Sequence, residues 1–258
     1  MALPTSVPTL PATSTLLLPP TGVPSAIPTA LPSVPTPTIP PTATLVPTAL
    51  PTRSAALNAR TQPMTDQLIR AAEAGDTPTV QRLLQEGADI NGRDVRGRTA
   101  VMAATHGNQV QAVRVLIQAG ADINIRDNRL DNPLLYAGAE GLLDILKLTI
   151  DAKADTKLTN RYGGTALIPA CERGHVEIVK ELLDHTDVDI NHVNNLGWTA
   201  LLEAIVLSNG GEKHQQIVQL LVDHGADITI ADKDGVTPLQ HARQRGFTVI
   251  ERILEAAR

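Results

Sequence analysis

Cys171 and His175 stand at helical i,i+4 spacing, and a thiol beside an imidazole is the smallest pair that could act as nucleophile and base. A second group, His185, Asp187, Asp189 and His192, has the side-chain types of metal ligands. Neither reads as a site. Cys171 is the single cysteine of the chain. It lies next to Ala170 in a pair of small residues that lets two helices approach closely, while His175 falls in a turn. The His/Asp group has no spacing that matches a common metal site, and its aspartates belong to a place where the chain turns. No phosphate-binding glycine loop, paired-cysteine zinc site or nucleophile elbow occurs. The expectation is a protein without catalytic residues, cofactor or metal, and not an enzyme.

The elements around those residues repeat. Asp66, Thr99, Asn132, Thr165, Thr199 and Thr237 are all of helix N-cap type and lie 33, 33, 33, 34 and 38 residues apart. Five residues before each of the last five stands Asp94, Asp127, Asn160, Asn194 or Asp232. Asp and Asn at such places bond local backbone and form turns. Nine residues after the first four caps come the turn formers Gly75, Asn108, Gly141 and Gly174. The stretch from Gly225 to Leu239 shows the whole joint. Gly225 ends an apolar helical run, Asp232 to Gly235 make a tight finger, and Thr237-Pro238 starts the next helix. In the fourth repeat Val176, Ile178, Val179, Leu182 and Leu183 share one helical face. No unit can bury its apolar face alone, so the units must stack.

The period, the helix starts and the turn GADIN, at Gly87–Asn91 and again at Gly120–Asn124, resemble the ankyrin repeat. The carriers are GRTAVMAA, DNPLLYAG, GGTALIPAC, GWTALLEAI and GVTPLQHA, with GHVEIV at Gly174–Val179. The resemblance covers residues 66–258 and implies an all-α solenoid of about six helix-turn-helix units with projecting β-turn fingers. The units fall near 62–93, 94–126, 127–159, 160–193, 194–231 and 232–258. Several positions depart from the pattern. Lys153 and Thr186 replace the turn glycine, at about 1–2 kcal/mol each if the left-handed backbone is kept. Leu130 replaces a finger glycine. Pro169, at the fourth position after its cap, removes an early helical hydrogen bond. Repeats three and four should therefore form the softest joint. The fifth unit carries five extra residues within Leu207–His214, expected as a loop between its two helices. The last helix, over 249–258, should present Glu251, Arg252, Glu255 and Arg258 to water.

The first 61 residues differ in kind. Fourteen of the 19 prolines lie in residues 1–51 and twelve threonines in residues 1–52, with no acidic residue before Asp66. Such a segment is expected as a disordered Pro/Thr-rich linker or stalk. Leu16–Leu18 is too short for a signal core, no basic residue precedes it, and no stretch is long enough to span a membrane. Two compartments stay open: an exported, tethered domain whose leader precedes Met1, which is favoured, or a cytoplasmic protein.

The segment holds two arginines, which leaves −7 on the repeats out of a net −5. That charge and only four aromatic residues argue against nucleic acid as a partner. The rows along the finger tips carry the functional expectation. One reads Arg96, Arg129, Tyr162, Leu196, Asp234; the next reads Arg98, Asp131, Gly164, Trp198, Val236. Tyr162, Leu196 and Trp198 are expected as an exposed contact centre for a protein partner, flanked by Arg96, Arg98 and Arg129. The function expected is a monomeric, non-catalytic protein-binding scaffold that works through its concave, finger-bearing face. Alternatives are an accessory or regulatory subunit of an enzyme or stress-defence system, or a structural spacer at a surface.

Overall fold

A computed structural model describes the backbone of residues 53–258 and side chains from residue 62 onward. The expectation for residues 1–52 lies outside the described residues. Twelve helices and no strand occur among the described residues. They pair as α1 (Arg53–Ala74) with α2 (Thr77–Gln85), α3 (Ala100–His106) with α4 (Val110–Gln118), and α5 (Pro133–Glu140) with α6 (Leu143–Asp151). Then follow α7 (Leu167–Glu172) with α8 (Val176–His185), α9 (Ala200–Val206) with α10 (Glu212–Asp223), and α11 (Pro238–Gln244) with α12 (Thr248–Ala256). α1 begins upstream of residue 62, the expected start of the repeats.

Each pair forms because its two ends are chemically specified. Thr99, Asn132, Thr199 and Thr237 cap their helices by accepting from the amides of Met102, Leu135, Leu202 and Gln240. Asp66 departs from the expected ruler. It lies inside α1 and accepts from Gln62 Nε2 at 3.0 Å, because no finger precedes it to end the incoming helix. Thr165 departs too. Its hydroxyl is buried without a hydrogen-bond partner among the described residues, and α7 starts only at Leu167. In the other units the cap carbonyl receives an amide four residues on, as in Ala103 N to Thr99 O at 2.9 Å. Pro169 has no such amide to give Thr165.

The inner helices between the two end units are short and mostly buried; Ala100 to Thr105 are all buried in α3. The outer helices bury one stripe each, for example Ile178, Val179 and Leu182 in α8, with Val176 and Leu183 packed partly buried beside them. The stripes join into one continuous core from Leu68 to Leu254. Gly141 shows why the inter-helix turn needs glycine. Its φ is +72°, and a Cβ there would stand 2.8 Å from the His175 ring of the next unit.

The insertion in unit five is anchored. Arg245 Nη2 donates to Ser208 O at 3.2 Å, and Gln215 Nε2 donates to Gly210 O at 2.7 Å. At the last unit, Arg243 bonds both Glu251 and Glu255, so the end helix is tied down by a polar network, with Glu251 half-buried rather than free in water.

Candidate functional site: the groove between fingers and inner helices

Every finger is built the same way. The carboxylate or amide oxygen of Asp94, Asp127, Asn160, Asn194 or Asp232 accepts two amides, two and four residues ahead. In the fourth finger these are Leu196 N at 3.0 Å and Trp198 N at 3.1 Å. The same pair of bonds recurs at Arg96 and Arg98, Arg129 and Asp131, Tyr162 and Gly164, and Asp234 and Val236. Such a turn fixes the tip, so its side chains project from a rigid base.

In the angle between these fingers and helices α5, α7 and α9 lies a groove of about 330 Å³. Arg129, Tyr162 and Leu196 line it from the fingers, and Tyr136, Ile168, Pro169, Glu172 and Glu203 line it from the inner helices. Leu207 closes one side from the start of the insertion. Tyr162, Leu196 and Leu207 are 53%, 50% and 48% exposed. Arg161 stacks on Tyr162, with its guanidinium 4.4 Å from the ring centroid and Nη2 at 2.9 Å from the phenol oxygen. That contact holds the tyrosine ring in place.

The six finger residues singled out by their row positions thus fare differently. Tyr162, Leu196 and Arg129 come together on the groove. Arg96 is exposed but belongs to a separate hollow, with Val95, His106 and Asn128. Trp198 is half-buried and is not among the residues that line the groove. Arg98 reverses its expected exposure. It is 7% exposed and bonds Glu73 Oε1 at 2.7 Å and Asp94 Oδ2 at 2.9 Å. Its guanidinium holds the Glu73 carboxyl below the usual range. It locks the second unit to the first instead of offering charge to a ligand.

Sequence reasoning missed Tyr136, Glu172 and Glu203. Counting from the caps would have found two of them. The fourth position after each helix-capping residue reads Ala103, Tyr136, Pro169, Glu203 and His241, so one carboxylate stands in a row that has no other acid. Glu203 is only 4% exposed. Asn194 Nδ2 donates to its Oε1 at 2.7 Å, and no cation among the described residues pairs with it. Burial, and secondarily the Glu172 carboxylate, push its pKa up to about 7.

The two groups that suggested chemistry make contacts within the repeats. Cys171 is fully buried, and burial pushes its thiol well above the ordinary value, which disfavours the thiolate that nucleophilic attack requires. His175 turns away toward Ala139 O at 3.1 Å. His185, Asp187, Asp189 and His192 do not converge. They bond Glu181, Thr156, the Asn191 amide and Gly163 O respectively, and no group of three or more metal-ligand side chains is gathered among the described residues. No helix among the described residues is long and apolar enough to cross a membrane.

A solenoid of capped helix pairs with side-chain-braced fingers is a repeat scaffold, and the comparisons give its family. The family described as Ankyrin repeats (3 copies) matches residues 68–160 and 134–232. The chain belongs to the ankyrin-repeat family, whose members are generally non-catalytic protein-interaction modules. An ankyrin repeat domain from Acinetobacter baumannii AYE superposes with a TM-score of 0.72 at 55% identity, covering 74% of this chain and 97% of that one. The ankyrin repeat protein EF0377 gives 0.71 at 41% identity, with the same two coverages. The putative ankyrin repeat protein YahD of Escherichia coli (strain K12) is 58% identical over 79 residues, which is 31% of this chain and 39% of that relative.

Proposed function

We propose that the chain binds a protein partner through the groove of units three to five, with Tyr162 and Leu196 at the contact centre and Tyr136 and Leu207 completing it. The observation that carries this reading is the exposure of three large apolar side chains, 48–53% each, around one groove on a rigid base. Apolar and aromatic side chains held in place lose little entropy on binding and are frequent anchors of interfaces. The arginine flank reduces to Arg129 and, farther off, Arg96, since Arg98 is committed to the fold.

The test is affinity capture with the full chain, followed by measured binding of whatever is recovered. Tyr162→Ala combined with Leu196→Asp should weaken capture by about tenfold or more, while the melting curve moves by no more than about 1 kcal/mol. Capture unaffected by that pair would remove the groove from the binding face.

A further inference from the structure

The charges along the groove do not cancel evenly. Arg173 is paired with Glu140 at 2.7 Å, Arg129 stands 3.7 Å from Asp131, and Arg161 lies over the Tyr162 ring. The groove-wall charges left without an ion-pair partner among the described residues include Glu172 and Glu203, on neighbouring inner helices. Asn194 satisfies one oxygen of Glu203, and its Oε2 accepts no hydrogen bond from the described residues. A carboxylate that is only 4% exposed, faces a cavity and has another carboxylate beside it is in an unfavourable place until a cation arrives. Beside these acids stand Tyr136, Tyr162, Leu196 and Leu207, which give the apolar surface that the stem and neighbours of a long cationic side chain would cover. The groove's volume, about 330 Å³, is at the small end of ligand clefts and suits one such side chain with a little of its backbone.

We infer that the groove is built for a partner segment presenting a lysine or arginine, its cation entering beside Glu172 and Glu203 and its apolar neighbours lying on Tyr162, Leu196 and Leu207. This rests on the proposed function and adds to it the chemistry of the partner. Attraction alone is not the device. An acidic segment meets like charge there and a purely apolar one leaves the buried Glu203 unpaired, so the same two residues that favour the right partner exclude the wrong ones.

The probe is a phage-displayed random-peptide library panned on the full chain, with the enriched peptides then synthesised. The result expected is enrichment of a basic residue next to apolar ones. Replacing that basic residue by norleucine should weaken binding by about tenfold or more. In Glu172→Gln/Glu203→Gln the preference for the basic residue should vanish while apolar contact remains. Glu172→Gln alone, at a half-buried position, should weaken that preference and keeps the test alive if the double variant folds poorly. Peptides that are lost with Tyr162→Ala but show no basic preference would overturn this inference and leave the proposed function standing. Failure to enrich any peptide sensitive to Tyr162→Ala would overturn both.

Discussion

Arg98 and Glu203 are both deeply buried charges on the finger side of the solenoid, and they are buried on opposite terms. Arg98 is matched on several sides: Glu73 takes two of its nitrogens at 2.7 and 3.2 Å, and Asp94 takes a third at 2.9 Å. Glu203 has one amide donor and a carboxylate for a neighbour. A buried charge with matched partners is integral to the fold, because removing it strands the partners. A buried charge without them is a local cost that the fold does not need. The contrast tells more than exposure or sign of charge does: the finger arginine that looks free in a row is locked, and the acid hidden in a helix lines the groove without an ion-pair partner among the described residues.

The largest break in this comparison should come from Arg98→Ala. It leaves Asp94 and Glu73 without this cation and opens space between the first and second units. Urea denaturation should show a loss of roughly 2–4 kcal/mol, with binding at the groove unchanged once folding is restored by temperature or osmolyte. The second effect has the opposite sign. The Glu203 pKa of about 7 in the folded chain stands above its ordinary value of 4.5. Between these two the folded protein holds more protons than the unfolded one, so this residue's contribution falls as pH rises through that window. Glu203→Gln keeps the bond from Asn194 and cannot ionise. Relative to the parent it should be neutral near pH 4 and more stable by on the order of 2–3 kcal/mol at pH 8. Equal stability of the two proteins at pH 8 would mean that the carboxylate finds compensation the groove does not reveal.

Much of this architecture could be read from the chain because its determinants are local. Thr99, Asn132, Thr199 and Thr237 cap helices by reaching amides three residues away, and Asp94 or Asn194 makes its finger within five residues. Spacing alone finds such groups. Arg98 was illegible because its decisive partner, Glu73, is 25 residues back, across a unit boundary. Trp198 was illegible for a related reason: a row position tells where a Cα lies, not whether the ring turns to solvent. Leu130 and Lys153 do adopt the left-handed backbone, at φ +63° and +61°, as their alignment with glycines requires. Thr186 does not. The helix before it runs one residue longer, and Thr186 is extended at φ −135° with its hydroxyl on Leu182 O at 2.6 Å. The chain avoided the cost by changing the turn, an option that the pattern of its neighbours does not display.

That altered turn carries the matched-against-unmatched comparison to the outer edge of the stack and gives its smallest effect. At three joints an asparagine of one unit accepts the backbone amide of an aspartate in the next. Asn91 takes Asp122 N at 2.9 Å, Asn124 takes Asp155 N at 2.9 Å, and Asn191 takes Asp227 N at 2.8 Å. Between the third and fourth units the corresponding residue is Lys157, and a side-chain bond from Thr156 Oγ1 to Asp187 at 2.7 Å stands in its place. A cleft of about 690 Å³ opens there, lined by Lys153, Lys157, Thr186 and Asp187. Losing a backbone-anchored rung and leaving a cleft both lower the free energy needed to separate neighbouring units locally. Amide hydrogen exchange should therefore run faster over residues 150–158 and 184–190 than over 117–124 and 222–229. Lys153→Gly relieves the left-handed lysine and should stabilise the chain by about 0.5–1 kcal/mol, slowing exchange at this joint more than at the others. Uniform protection along the stack, or a gain from Lys153→Gly spread evenly over it, would show that the joints are equally tight despite their different bonding.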